Sequence, residues 1–175
     1  MTTEILLAGF GGQGVLFAGK ILAYCGLMDS KELSWLPSYG PEMRGGTASC
    51  SVTISDESVG SPIIDNPDVL IVMNLPSLDK YEKTVKKGGV IFVDSTLIER
   101  KVVRDDVKVF YIPSTKIAQD MGTPNLANIV LLGKVLKECP EIGMNGMEEA
   151  LRKVVSKRPE MYETNMKAVE AGYNY

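Results

Sequence analysis

Apolar and polar positions along the chain alternate between two rhythms. Ile5 to Ala8 is an unbroken apolar run, as in a strand covered on both faces. From Gln13 onward, apolar residues fall at Val15, Ala18, Ile21, Leu22 and Cys25, a helical stripe with Gly26 as its expected stop. Lys31 to Leu36 predicts a second short strand, closed by Trp35-Leu36-Pro37. Thr47 to Ser55 alternates. Ala48, Cys50, Val52 and Ile54 point one way, and Ser49, Ser51, Thr53 and Ser55 the other. That is a strand with one wet face, antiparallel or near an edge. Val59 to Ile64 predicts a short partner strand, limited by Gly60 and Pro62. Asp68 to Met73 predicts a buried strand. Asn74 follows it, and Pro76 opens a helix that runs to about Lys87 and stops at Gly88-Gly89. Val90 to Asp94 and Val107 to Ile112 predict two more strands. Thr115 to Met121 predicts a helical turn or two, and Asn125 to Glu138 a strong helix. Met147 to Ser156 predicts a charged amphipathic helix with Asn145 as N-cap, and a last helix starts at Pro159 and ends near Gly172.

Strands alternating with helices give an α/β fold. The expected architecture is a single Rossmann-like domain over residues 1–175, with a mainly parallel twisted sheet, an antiparallel edge and helices on both faces. No internal repeat, low-complexity tract or dividing linker interrupts it. A formal net charge of −3 argues against nonspecific nucleic-acid binding, which requires a basic face. The opening Met1-Thr2-Thr3-Glu4 lacks the basic region of a secretory signal, and no uncharged apolar run reaches membrane-spanning length. The three cysteines, Cys25, Cys50 and Cys139, are scattered, with no C-x-x-C spacing. A metal or iron–sulfur site made by this chain alone is therefore not expected, and a sparse, odd count fits a reducing, cytoplasmic compartment. The complete absence of histidine removes the commonest general base and metal ligand. No catalytic residue is assigned, and the chain is expected to supply binding groups.

The densest chemistry lies at the first bend. Gly9, Gly11 and Gly14 fit the spacing G-x-G-x-x-G, with Gly12 and Gln13 between them. A strand before and a helix after supply the context such a motif needs. Glycine lets the backbone approach an anion, and the helix N-terminus aims free N–H groups and a positive dipole end at it. The same glycines could instead serve only close helix–strand packing. A dinucleotide-binding dehydrogenase would need an acid about 20 positions on, at the end of the second strand. Asp29 has about that spacing but precedes the strand, and Pro37-Ser38-Tyr39 follows it. A dehydrogenase using NAD(P), or a nucleotide-binding regulatory module, stays as the alternative.

The second unusual stretch is Ser38-Tyr39-Gly40-Pro41-Glu42-Met43-Arg44-Gly45-Gly46, a loop by composition. Arg44 either pairs with Glu42 at the surface or offers a guanidinium to a phosphate or carboxylate. Loops at the carboxyl ends of such a sheet face one crevice.

Together, Gly9-Phe10-Gly11-Gly12-Gln13-Gly14 and the Ser38–Gly46 loop closely resemble the gamma subunit of 2-oxoacid:ferredoxin oxidoreductases. The resemblance extends to Asn74, to Asn128-Ile129-Val130-Leu131-Leu132-Gly133, and to the closing helix with Lys157 and Asn165, covering nearly the whole chain. The wording of the loop looks most like the 2-oxoglutarate type within the pyruvate/ketoisovalerate oxidoreductase gamma family. The resemblance implies a non-autonomous subunit of an enzyme that oxidatively decarboxylates a 2-oxoacid, acylates coenzyme A and reduces ferredoxin. It implies thiamine diphosphate and iron–sulfur clusters on partner subunits, alpha, beta and possibly delta, and a shared coenzyme A site on this chain. Gly9, Gly11, Gly12, Gln13, Gly14 and Arg44 would then bind the cofactor. Tyr39, Glu42, Gly45, Gly46 and Asn128 would face the crevice or a partner.

Overall fold

The computed structural model describes residues 1–39 and 46–175, with only the backbone at Tyr39. The elements are β1 (Thr2–Phe10), α1 (Val15–Met28), β2 (Glu32–Tyr39), β3 (Thr47–Ser55), β4 (Val69–Val72), α2 (Leu75–Tyr81), β5 (Val90–Asp94), β6 (Lys108–Ile112), α3 (Ser114–Asp120), α4 (Ala127–Glu138), α5 (Met147–Val154) and α6 (Tyr162–Tyr173). They form one six-stranded sheet in the order β2-β3-β1-β4-β5-β6. The ladders β1–β4, β4–β5 and β5–β6 are parallel, while β3 runs antiparallel to both β1 and β2. Five strands therefore point the same way and end on one rim. This is the mainly parallel α/β sheet with an antiparallel side that the alternating pattern predicts.

The alternation of side chains across the strands divides the core in two. On one face Ile5, Leu7, Val52, Ile71, Phe92 and Ile112 pack beneath α1, α3, α4, α5 and α6. On the other, Leu6, Leu70, Val72, Ile91 and Val93 meet Leu78 of α2, with Val85 and Ile98. Helices thus cover both faces, unequally. Every residue of α4 from Ala127 to Leu136 is buried, so this helix lies inside the helical layer and is apolar nearly all round. It can sit there because α6 crosses it at glycines. A Cβ on Gly133 would collide with the carbonyl of Val169, and one on Gly172 with that of Val130.

Several boundaries differ from the sequence reading for local reasons. Gly26 does not stop α1, which continues to Met28, and lies where a Cβ would stand 3.1 Å from Ile54 Cγ2. β2 runs on through Pro37 to Tyr39. As an edge strand paired only with β3, it tolerates a residue that cannot donate on that side. The wet face of β3 is only partly wet: Ser49 and Ser51 are half-buried, whereas Thr53 and Ser55 are buried, Ser55 bonding to Thr2 at 2.7 Å. No strand forms over residues 59–64. Gly60 and Pro62 break the ladder, and Ile63 is 64% exposed. α2 ends at Tyr81, followed by a 3-10 turn (Glu82–Thr84) and an extended Val85 that enters the second core. Asn145 caps nothing; it sits in a 3-10 turn (Met144–Gly146), and Gly146 precedes α5 without a side-chain cap. A similar turn (Pro159–Met161) precedes α6.

Candidate functional site

The carboxyl rim gathers the turn after β1, the end of the β2–β3 loop at Gly46, Asn74 after β4, Asp94 of β5 and the start of α3. At its centre Gly14 takes the left-handed conformation (φ 75, ψ 24) as N-cap of α1, with no side-chain capping bond. Gly12 also has positive φ, at 95, and among the described residues the position of its absent Cβ has no neighbour within 4 Å. Both conformations favour glycine.

The donors of this turn divide into two sets. Phe10 N–H donates to Gln13 Oε1 at 2.6 Å, Gln13 N–H to the Phe10 carbonyl at 3.2 Å, and Gly11 N–H to the Gly46 carbonyl at 2.9 Å. These close the turn on itself and tie it to the start of β3. Among the described residues, the amides of Gly12 and Gly14 have no acceptor, and the first-turn amides of α1 have none within the helix. The turn can therefore present a cluster of outward N–H groups at the positive end of a 14-residue helix.

Gln13 and Asn128 reach this turn from within the fold. Gln13 Nε2 donates to the Met73 carbonyl at the end of β4, at 2.9 Å. Asn128, on the first turn of α4 and only 4% exposed, donates to the Gly14 carbonyl at 3.0 Å, while its Oδ1 has no partner among the described residues. Asn74 follows Met73 and caps α2 by accepting Ser77 N–H at 2.9 Å. Asp94 is fully buried and accepts Thr96 N–H at 3.1 Å and the Thr115 hydroxyl at 2.5 Å, joining β5 to α3.

Of the residues singled out in the sequence, Gly9, Gly11, Gly12, Gln13, Gly14, Gly46 and Asn128 come together at this turn. Glu42, Arg44 and Gly45, and the side chain of Tyr39, lie outside the described residues. The bond between Gly11 and Gly46 continues the antiparallel β1–β3 register one step past Phe10 and Thr47. Spacing gave no sign that Gln13 ties the turn to β4, since Met73 lies 60 residues away and contributes only its carbonyl.

The cysteines are far from this chemistry. All three are buried, and desolvation pushes each thiol up from 9.0 to about 12. The charge of Asp29 adds to this at Cys25, and those of Glu141 and Glu138 at Cys139, while a hydrogen bond from Trp35 opposes it at Cys50. Thiols held neutral in this way are poor metal ligands and nucleophiles. Among the described residues no group of three or more His, Cys, Asp or Glu is placed to hold a metal ion, and no helix is long and apolar enough to cross a membrane.

The fold and turn define an α/β domain with a glycine-lined donor cradle on its carboxyl rim. The model of the pyruvate ferredoxin/flavodoxin oxidoreductase family matches residues 4–175, and the chain belongs to that family. It is 40% identical to the 2-oxoglutarate synthase subunit KorC of Methanocaldococcus jannaschii, over 99% of this chain and 93% of that one. It is 38% identical to the ketoisovalerate oxidoreductase subunit VorA of Methanothermobacter marburgensis, over 98% of this chain but 36% of the relative. The chain thus spans about a third of the length of VorA. Among solved structures, it resembles the gamma subunit of a keto/oxoacid ferredoxin oxidoreductase from Geobacter sulfurreducens (TM-score 0.81, 34% identity, 98% of this chain and 96% of that one). It also resembles the 2-oxoglutarate:ferredoxin oxidoreductase of Magnetococcus marinus, solved with 2-oxoglutarate, coenzyme A and succinyl-CoA bound (TM-score 0.89, 25% identity, 99% of this chain and 30% of that one).

Proposed function

We propose that residues 1–175 act as one gamma-type domain within a cytoplasmic 2-oxoacid:ferredoxin oxidoreductase, and that its glycine turn holds the phosphates of coenzyme A. The observation that carries this reading is the donor cradle among the described residues: there Gly12 has free space at its Cβ position, Gly14 is left-handed at the N-cap, and the amides of both have no acceptor. A diphosphate accepts several such bonds at once, each charge-assisted. Arg44, on the loop that returns to Gly46, would add a cation to the same crevice. In this reading the chain binds and orients the thiol-bearing coenzyme, and partner alpha and beta subunits, with a possible delta, carry thiamine diphosphate and the iron–sulfur clusters and pass electrons to ferredoxin.

A dinucleotide is a poorer fit. In a dinucleotide-binding sheet, the ribose-holding acid stands at the end of a parallel strand next to β1. Here that neighbour is antiparallel β3, and β2 stands one strand, about 5 Å, further out. For the oxoacid we propose 2-oxoglutarate, supported by the similarity to KorC along nearly its whole length.

The test uses the assembled oxidoreductase with 2-oxoglutarate, pyruvate and 2-oxoisovalerate as substrates. The highest kcat/KM is expected with 2-oxoglutarate. Arg44→Ala should raise the KM for coenzyme A about tenfold, as expected for a lost charge-assisted bond, and leave that for the oxoacid unchanged. A raised KM for the oxoacid alone would remove Arg44 from the coenzyme site, and a higher kcat/KM with a branched 2-oxoacid would reassign the substrate.

A further inference from the structure

We propose that Gln13 and Asn128 are positioning residues for the coenzyme site. They fix the glycine turn from behind so that the amides of Gly12 and Gly14 are its outward donors, and neither side chain contacts the ligand. This rests on the reading of the turn as a coenzyme A site and assigns the roles within it.

The sequence alone suggests the reverse, because an amide side chain inside a glycine motif is an obvious ligand group. The structure engages both ends of Gln13. Its Oε1 takes the Phe10 amide at 2.6 Å and its Nε2 gives a proton to the Met73 carbonyl at 2.9 Å. The side chain thus closes the turn across three residues and ties it to the end of β4. Gly9 makes this possible, because a Cβ there would stand 2.6 Å from Gln13 Oε1 and 3.2 Å from Met73 Cβ. One glycine of the motif therefore seats the glutamine, and another, Gly12, leaves the ligand side open.

Asn128 acts on the next joint. The Gly14 carbonyl accepts the first helical bond of α1, from Ala18 at 3.0 Å, and also the Asn128 amide at 3.0 Å. A Cβ on Gly14 would collide with Asn128 Nδ2, so the left-handed glycine and the asparagine are matched. Because Asn128 is 4% exposed and lies on the buried helix α4, it ties the N-terminus of α1 to the interior of the helical layer. A bond to the N-cap carbonyl fixes the planar Gly14–Val15 peptide, which turns the Val15 N–H, the first amide of α1, to the opposite, outer side.

Three variants of the assembled enzyme test this. Gln13→Glu keeps the acceptor for Phe10 and loses the donor to Met73; Asn128→Ala removes the carboxamide and with it the donor to Gly14. Each should raise the KM for coenzyme A about tenfold, the usual size of one lost aligning bond, with kcat and the KM for the oxoacid within twofold of wild type. Hydrogen exchange should quicken in step, at the Ala18 amide in Asn128→Ala and at the Phe10 and Gln13 amides in Gln13→Glu. Faster exchange with an unchanged KM for coenzyme A would overturn the positioning role. So would a raised KM with unaltered exchange, since the side chain would then be touching the ligand. Gly12→Ala is the separate control on the site itself. If it leaves the KM for coenzyme A unchanged while exchange responds in the other two variants, the coenzyme reading fails, although the bracing of the turn stands.

Discussion

Gly12, Gly14 and Gln13 show how little of a residue's role its identity reveals. All three stand in one motif that is legible from spacing alone. Yet Gly12 keeps space open, Gly14 makes room for a side chain 114 residues away, and Gln13 reaches a carbonyl on another strand. The motif marks where donors gather; only the fold decides which are left over. The same holds for the cysteines. Their scatter argues against a cluster, and burial supplies the physical reason by raising each thiol to about 12. Because the thiols ionise near 9 when unfolded and near 12 when folded, the unfolded chain binds fewer protons than the folded one between these values. Their contribution is present below pH 9 and is lost as pH rises toward 12. Urea midpoints measured from pH 8 to 11 should therefore fall, with a shallower fall in Cys50→Ala. Iodoacetamide at pH 8 should leave all three thiols of the native protein unmodified; rapid labelling would contradict their neutral, buried state.

Among the elements, those covered on both faces were the easiest to read. β4 and β5 appear as continuous apolar runs because the core packs on each side, and of the two readings that the alternation of β3 allows, antiparallel or near an edge, its pairing with both β1 and β2 is antiparallel. Misreadings arose where tertiary packing overrides local pattern. Gly26 reads as a stop but lies inside α1, against Ile54. The helical pattern after Pro76 continues on paper to Lys87, whereas Val85 leaves it to fill the second core. Residues 59–64 carry β-branched residues, but Gly60 and Pro62 interrupt them. The position of β3 between β1 and β2 has no signature in the sequence at all. Gly133 and Gly172 are silent there too, one inside a strong helix and the other an expected terminus. Their substitution tests the α4–α6 crossing. Gly133→Ala or Gly172→Ala places a methyl on a carbonyl of the facing helix, and the backbones must separate. Each should cost about 3 kcal/mol or more in urea unfolding, although alanine is the better helix former. A neutral result would mean that the two helices do not touch at these points.

At the scale of the whole molecule, the chain belongs to the pyruvate ferredoxin/flavodoxin oxidoreductase family, and its proposed place is as one part of a larger enzyme. Five parallel strand ends, a glycine turn tied to Gly46 and a brace from α4 concentrate free donors at one rim, while no thiol or histidine there is available for proton or electron transfer. That division supports the binding role proposed for the turn. The central claim is that the turn grips the phosphates of coenzyme A. Isothermal titration of the assembled enzyme with coenzyme A and with pantetheine, which lacks those phosphates, tests it directly in wild type and Gly12→Ala. Alanine at Gly12 is strained at φ 95 and projects its methyl into the open cradle. Coenzyme A should bind wild type at least about tenfold more tightly than pantetheine, and Gly12→Ala should lose that advantage while its weak affinity for pantetheine stays the same. An unchanged affinity of Gly12→Ala for coenzyme A would contradict the account.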